Sequence, residues 1–136
     1  MLTGGCMCGE IRYEISEPLV GASYCHCTRC QRRSGNAASV SGRTTPGSLR
    51  IVQGEELLRS WSPEDGNPKV SCSRCGSQLW AEDRTQPGVY FVRLGTFDSD
   101  PGVRPSYHQF VDYAAVWEPL PDDGLPRYPE RRPPTT

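Results

Sequence analysis

Residues 4–15 read GGCMCGEIRYEI, a stretch that joins two closely spaced cysteines to the pattern of a β-strand. Its second half alternates polar and apolar residues, which places Ile11, Tyr13 and Ile15 on one face. Further short β-rich runs, separated mostly by Gly, Pro, Asn or Asp, occupy residues 22–25, 37–41, 49–53, 57–61, 78–82, 89–94 and 107–111. No window keeps helical apolar spacing for three turns, so we predict only a helical turn or two, after Cys30. We therefore expect an all-β protein of several small sheets.

The length of 136 residues fits one compact domain, and 14 Gly with 13 Pro predict many turns and short elements. We place the domain at residues 1–129 and a Pro-rich tail at 130–136. The longest apolar run, 113–117, is far shorter than the ~20 residues that span a bilayer. Since no basic segment or apolar stretch precedes Cys6, as a signal peptide requires, we expect a cytoplasmic protein.

The charge is nearly balanced in total but uneven along the chain. A net charge of −1 and a pI near 6.1 argue against a generic nucleic-acid binder. Residues 18–54 contain no Asp or Glu but hold five arginines, which are Arg29, Arg32, Arg33, Arg43 and Arg50. This segment is either a solvated face or a positive surface around a site.

All seven cysteines fall into three close groups, namely Cys6/Cys8, Cys25/Cys27/Cys30 and Cys72/Cys75. Thiols two or three positions apart can bind one tetrahedral ion at about 2.3 Å. In a reducing cytoplasm thiols stay free unless they serve a metal or a reaction, and a disulfide across Cys-x-Cys closes a strained ring. The grouping therefore favours metal binding over disulfides or buried free thiols.

Seven ligands divide naturally into four, which close a structural site, and three, which leave one position for water or substrate. Spacing alone does not assign the groups. Cys27/Cys30 with Cys72/Cys75 would resemble a zinc ribbon, and an iron–sulfur cluster is a minor alternative. We prefer the division that leaves no orphan thiolate, with Cys6, Cys8, Cys72 and Cys75 in the closed site and Cys25, Cys27 and Cys30 in the open one.

An ordered set of motifs carries a specific resemblance. The motifs are GGCMCGEIRY (4–13), CHCTRCQRRSG (25–35), CSRCGSQL (72–79), GTFD (95–98), PSYHQF (105–110), Trp117 and DGLP (123–126). Together they span Gly4 to about Pro129. In this order they resemble the glutathione-dependent formaldehyde-activating enzyme family, also called the GFA or centromere-protein-V family.

This resemblance implies a β-tent-like fold of small antiparallel sheets that holds two zinc ions. It places a structural zinc on the four-cysteine group and a catalytic zinc on the three-cysteine group. It also implies a reaction, in which a small thiol such as glutathione adds as thiolate to the carbonyl carbon of formaldehyde. The reverse reaction is carbon–sulfur cleavage, as in a lyase of the S-(hydroxymethyl)glutathione synthase type.

Six further residues are candidates for the open site. The candidate substrate-binding residues are Arg29, Arg32 and Arg33, which could bind a carboxylate in bidentate fashion or merely offset thiolate charge. The candidate catalytic residues are His26, between two ligands, His108, in a His-x-Phe segment, and Asp98, after Gly-Thr-Phe. Each has a structural alternative, such as an outward-facing ring, a buried core histidine or a turn cap.

Two functions compete. The first is a zinc-dependent carbon–sulfur lyase that acts on a small thiol. The second is a non-catalytic zinc-binding β-tent module that binds a protein or nucleic-acid partner, as relatives of centromere protein V suggest. An open three-cysteine metal and the lack of a Lys-rich tail favour the enzyme, with no nucleic-acid or membrane partner.

Overall fold

The structure is a computed structural model that describes residues 1–134, and short β-strands make up most of its regular structure. The strands are β1 (Leu2–Gly5), β2 (Arg12–Ile15), β3 (Gly21–Cys25), β4 (Ser39–Arg43), β5 (Leu49–Gln53), β6 (Leu58–Trp61), β7 (Lys69–Cys72), β8 (Gln78–Glu82), β9 (Tyr90–Arg93) and β10 (His108–Gln109). One α-helix, α1 (Thr28–Ser34), occurs in this part of the chain. The predicted strand-rich, helix-poor class is confirmed.

The chain divides into two compact units. Unit 1 comprises Met1–Val20 and Ser41–Val103. Unit 2 comprises Gly21–Val40 and Arg104–Thr136, of which residues 135 and 136 lie outside the described residues. The predicted tail at 130–136 therefore ends outside them, and the domain boundary at 129 stays a prediction.

Unit 1 contains two antiparallel sheets. One has the strand order β1-β2-β5, and the other places its strands in the order β4-β9-β8-β7-β6. In the first sheet Gly4 pairs with Tyr13. A Cβ at Gly4 would overlap the Tyr13 hydroxyl and the Thr96 carbonyl, so this close approach requires glycine.

The core of unit 1 is formed by ten buried side chains, which are Cys6, Ile11, Tyr13, Ile15, Leu19, Val70, Cys72, Leu79, Trp80 and Val92. The predicted face of Ile11, Tyr13 and Ile15 is buried completely. The Tyr13 ring meets the rings of Trp80 and Phe97 edge-on, each at a centroid distance of 5.8 Å. Two cysteines therefore belong to the core itself.

Unit 2 is built around the parallel pair β3 and β10, in which His108 lies opposite Tyr24. Helix α1 follows β3 directly, and a 3-10 turn, Val111–Tyr113, follows β10. The chain then returns along β10, because the His108 N–H donates to the Pro126 carbonyl (2.9 Å) and the Tyr128 N–H to the His108 carbonyl (2.9 Å). Both bonds join His108 to the same returning segment, while β3 pairs with the other edge of β10.

Most predicted strands occur within a few residues of their expected positions, and β5 and β8 match theirs. The sequence pattern missed β1 and β7, because the LTGG of β1 and the KVSC of β7 offer few β-branched or aromatic residues. The helix begins at Thr28, before Cys30. Within residues 1–134 no helix is long and apolar enough to cross a membrane.

Candidate metal centres and active site

Unit 1 brings together four cysteines from two turns of the chain. Cys6 and Cys8 lie in the turn between β1 and β2, whereas Cys72 ends β7 and Cys75 lies in the turn to β8. The four sulfurs lie within 4.8 Å of one another. The sulfur of Cys8 lies 3.5 Å from that of Cys6 and 3.9 Å from that of Cys72. A tetrahedral ion bound at about 2.3 Å needs sulfurs about 3.8 Å apart, so this four-cysteine cluster could hold a metal ion.

The two turns of the four-cysteine cluster share one construction. Gly9 and Gly76 each follow the second cysteine of a pair, with φ of 81° and 79°. Glycine adopts this left-handed conformation without steric cost. The N–H of each glycine donates to the carbonyl of the first cysteine of its pair, at 3.1 and 2.9 Å. The Met7 N–H also donates to Ser77 Oγ at 2.9 Å, which joins the two turns.

Nearby donors favour the thiolate form of two members of the four-cysteine cluster, Cys6 and Cys75. The Ile11 N–H donates to Cys6 Sγ at 3.3 Å. The Ser77 hydroxyl lies 3.2 Å from Cys75 Sγ, and its hydrogen bond lowers the pKa of Cys75 to about 5. Cys72 is only 1% exposed. The cluster is therefore part of the core, and the lowered pKa values of two of its thiols favour binding of a cation.

Unit 2 carries the second cluster on one short segment. Cys25 ends β3, Cys27 is the N-cap of α1, and Cys30 lies in the first turn of that helix. The Cys30 N–H donates to Cys27 Sγ at 3.3 Å. All three sulfurs lie within 4.8 Å of one another, and all three residues are partly buried. This three-cysteine cluster also could hold a metal ion, and three ligands leave a tetrahedral ion one position for an outside group.

The three thiols share their protons unequally. Hydrogen bonds from the thiols of Cys25 and Cys30, together with backbone N–H groups, hold the pKa of Cys27 far below the usual value for a thiol. The hydrogen bond to Cys27 raises the pKa of Cys25. Cys27 is thus the sulfur that ionises first, and a metal must displace the protons of the other two.

A cavity of about 260 Å³ opens beside the three-cysteine cluster. It is lined by Cys27, Thr28, Arg29, Phe110 and Tyr113. Phe110 has φ 58° and ψ 37°, the left-handed region, which costs a side chain of this kind roughly 1–2 kcal/mol. Strain of this sort persists where the surrounding structure demands it, most often at functional sites.

Gln31 ties helix α1 to the wall of this cavity. Its Nε2 donates to the His26 carbonyl at 2.8 Å and to the Tyr113 carbonyl at 2.8 Å. The Tyr113 hydroxyl in turn donates to Glu130 Oε1 at 2.8 Å. One amide therefore holds the cysteine-bearing loop and the aromatic wall together.

Two histidines and an aspartate form a hydrogen-bonded chain beside this loop. His26 Nε2 lies 2.8 Å from His108 Nδ1, and His108 Nε2 lies 2.7 Å from Asp123 Oδ2. His26 is 6% and His108 1% exposed. The Tyr24 ring stacks on His108 with centroids 4.6 Å apart. Burial lowers the pKa of His26, whereas the hydrogen bond from His108 lowers the pKa of Asp123.

Asp98, a predicted catalytic residue, lies in unit 1 and has structural partners there. Arg12 binds both of its carboxylate oxygens, and Thr3 Oγ1 donates to Oδ2 at 2.6 Å. The hydrogen bonds from Arg12, which has the largest effect, and from Thr3 lower the pKa of Asp98 to about 2. Its catalytic role stays a prediction.

The three predicted substrate-binding arginines occupy different positions along α1. Arg29 lines the cavity beside Cys27. Arg32 and Arg33 lie in the last turn of the helix, where positive charge complements the exposed carbonyls. Substrate binding by any of them stays a prediction.

Sequence reasoning missed four residues that shape this region, namely Gln31, Phe110, Tyr113 and Asp123. Gln31, Phe110 and Asp123 stand within the motifs of the resemblance, and that was their only signal. Nothing in a polar Gln or a surface Tyr indicates the contacts that the fold gives them.

Two clusters of thiols on a scaffold of small β-sheets define a class, that of β-proteins with cysteine clusters that could hold metal ions. Within that class, the chain belongs to the glutathione-dependent formaldehyde-activating enzyme (GFA) family, whose family model matches residues 1–113. At the level of the family, this membership supports a function of the glutathione-dependent formaldehyde-activating type.

The fold is also similar to that of a solved protein. A crystal structure of a Rhodobacter sphaeroides protein is 23% identical, with a TM-score of 0.60. The match covers 93% of this chain and 98% of that one. At this identity the likeness supports the fold.

Proposed function

We propose that the three-cysteine cluster is the active site of a carbon–sulfur lyase that joins a small thiol, such as glutathione, to formaldehyde. The sulfur–carbon bond forms at the carbonyl carbon, and the thiol proton ends on the former carbonyl oxygen, which gives an S-hydroxymethyl adduct. The reverse reaction breaks the same bond and returns thiol and aldehyde. Neither the forward nor the reverse reaction involves oxidation or reduction.

The observation that carries this proposal is the cavity beside Cys27. Its volume of about 260 Å³ lies just below the usual range of ligand pockets, roughly 300–1,000 Å³, so it suits the reactive end of a small molecule. The four-cysteine cluster has four ligands of its own and lies against the core. A site that needs an outside ligand is therefore better placed at the three-cysteine cluster.

Cys25, Cys27 and Cys30 would hold a zinc ion, and the four-cysteine cluster would hold a second one. When bound at the three-cysteine cluster, zinc would lower the pKa of an arriving thiol and supply it as a thiolate. The protein contributes the three sulfurs on one rigid segment, since β3 fixes Cys25 and helix α1 fixes Cys30.

Arg29 is the best-placed candidate to bind the anionic part of the substrate. Its side chain borders the same cavity as Cys27, and glutathione carries two carboxylates that a guanidinium binds in bidentate fashion. Arg32 and Arg33, one turn further along α1, would add positive charge around the entrance. The acid-free segment 18–54 thus gains a function in this proposal.

The remaining walls would restrict water and hold the aldehyde near the sulfur. Phe110 and Tyr113 present aromatic surface to the cavity, and Gln31 keeps Tyr113 attached to the cysteine loop. Fixing both reactants side by side lowers the entropic part of the barrier. His26 and His108 remain candidate catalytic residues in this proposal, because their buried rings lie next to the loop.

The test is the rate of adduct exchange. Glutathione and formaldehyde equilibrate with their adduct in solution, and exchange NMR spectroscopy measures the rate with and without zinc-loaded protein. We expect the protein to accelerate the exchange and Cys27→Ser to abolish the acceleration. Arg59→Ala, an exposed arginine in unit 1, is the matched control and should leave the rate unchanged.

An exchange rate that the protein does not change, with glutathione or with other small thiols, would contradict the proposal. Absence of binding heat when the same thiols are titrated would favour the alternative of a non-catalytic zinc-binding module.

A further inference from the structure

We propose that Asp123 is a positioning residue that sets, through His108, which ring nitrogen of His26 carries the proton. The three side chains form one continuous chain of hydrogen bonds, 2.7 and 2.8 Å long. For the reaction itself this inference rests on the proposed function, but the protonation pattern does not.

The Asp123 carboxylate determines which group donates in each of these hydrogen bonds. An ionised carboxylate only accepts hydrogen bonds, so His108 must donate through Nε2–H to Asp123. In a neutral His108 ring the other nitrogen, Nδ1, then carries the lone pair and accepts. His26 must therefore donate through its own Nε2–H, which leaves Nδ1 of His26 without a proton.

The rings are held by contacts that do not involve the side chain at position 123. The backbone N–H groups of His26 and His108 donate to the carbonyls of Gln109 (3.0 Å) and Pro126 (2.9 Å). The stacked ring of Tyr24 fixes the plane of His108. A substitution at Asp123 should therefore change the tautomers of the two histidines without displacing their rings.

The consequence falls on the loop that carries the three cysteines, because His26 stands between Cys25 and Cys27. An unprotonated Nδ1 gives the residue between these two cysteines a hydrogen-bond acceptor. Metal-binding sites commonly use such partners outside the ligand set to orient the groups within it.

Asp123→Asn should reverse the direction of donation along these hydrogen bonds and leave each bond in place. Asp123 Oδ1 accepts the Leu125 N–H at 3.0 Å, and an asparagine can keep that bond with its single oxygen. Its NH₂ group then faces His108 Nε2 and must donate. His108 consequently carries its proton on Nδ1, and His26 carries its proton on Nδ1 as well, so every bond in the chain is kept with the opposite polarity.

The experiment is long-range ¹H–¹⁵N NMR of the imidazole rings in zinc-loaded, untagged protein at neutral pH without added thiol. The chain has only 2 His, so the spectrum contains two ring systems. In the wild type we expect both rings to show pyrrole-type Nε2 and pyridine-type Nδ1. Asp123→Asn should exchange the two signatures in both rings. Asp122→Asn, which removes the neighbouring exposed carboxylate, is the matched control and should match the wild type.

Pyrrole-type Nδ1 in His26 of the wild type would overturn the proposal, as would a doubly protonated His108. So would an Asp123→Asn spectrum that equals the wild type in a folded protein. The wild-type spectrum alone decides the case if the variant does not fold. Since no thiol substrate is added, a result that overturns this proposal leaves the exchange-rate test of the proposed function intact. An unchanged exchange rate likewise leaves the protonation pattern untouched.

Discussion

The four-cysteine and three-cysteine clusters use one type of ligand in two opposite ways. The four-cysteine cluster draws its ligands from segments more than 60 residues apart, and two of them are core residues. The three-cysteine cluster draws its ligands from six consecutive residues and borders a cavity. A metal held by four ligands distant in sequence would tie segments of the fold together, whereas a metal held by three ligands on one segment would keep one open position.

The largest expected difference concerns loss of one ligand from each cluster. Structural zinc contributes roughly 10–16 kcal/mol of apparent binding energy, and a domain is stable by only about 5–15 kcal/mol. Cys72→Ser should therefore unfold the protein. Cys27→Ser should remain folded and lose one metal ion. Circular dichroism and metal analysis of both variants measure this, and equal unfolding of the two would break the contrast between the clusters.

The dense core beside the four-cysteine cluster should also produce a loss of stability at high pH. Burial raises the pKa of Tyr13 to about 12, from 10.0. Because the pKa is raised in the folded state, the contribution of protonated Tyr13 to the free energy of unfolding is complete below pH 10. This contribution is lost as the pH rises towards 12. The shift corresponds to about 2–3 kcal/mol. Urea unfolding at pH 9 and pH 11.5 should show this loss in the wild type.

Tyr13→Phe is the matched control, since it keeps the ring and removes the ionisable group. Because other tyrosines also titrate in this range, the informative quantity is the difference between wild type and variant. A difference that does not change with pH would show that Tyr13 ionises equally in both states.

On the side of the three-cysteine cluster, Arg29→Ala should weaken substrate binding by about tenfold. A hydrogen bond to a charged group contributes about 1.5–3 kcal/mol, and because Arg29 is exposed we expect the lower end of that range. The KM for glutathione should rise while kcat changes little. Arg59→Ala should change neither, and a KM that stays constant in Arg29→Ala would remove this residue from the site.

The smallest expected effect comes from the strained backbone of Phe110. At φ 58° glycine is favoured over alanine, which reverses the order usual for other positions. Phe110→Gly should therefore be more stable than Phe110→Ala by about 1 kcal/mol. Thermal unfolding measures this difference. At Phe91, in strand β9, the same pair of variants should show the usual order, with alanine more stable.

The cysteine clusters could be predicted because their signal is local and complete. Each cysteine has a partner within three positions, and using every cysteine once left a single division into four and three, which the structure confirms as two clusters. The alternation of Ile11, Tyr13 and Ile15 was equally informative, since one face of a strand must be buried. Both features follow from local sequence patterns, to which the division of the cysteines adds only the requirement that no thiolate is left without a site.

The hydrogen-bond network could not be predicted, because it depends on how distant loops meet. His108 and Asp123 are 15 residues apart, and only the fold aims one at the other. Asp98 depends on distant contacts in the same way. The motif predicts a site residue, which stays a prediction, but no local pattern reveals that Arg12 and Thr3 hold its carboxylate.

The contrast between a closed and an open cluster is tested most directly by ¹¹³Cd NMR of the cadmium-substituted protein during titration with glutathione. We expect two resonances, one absent in Cys27→Ser. Glutathione should shift that resonance and leave the other in place. A single resonance, or two resonances that glutathione does not shift, would contradict the contrast between a closed and an open cluster.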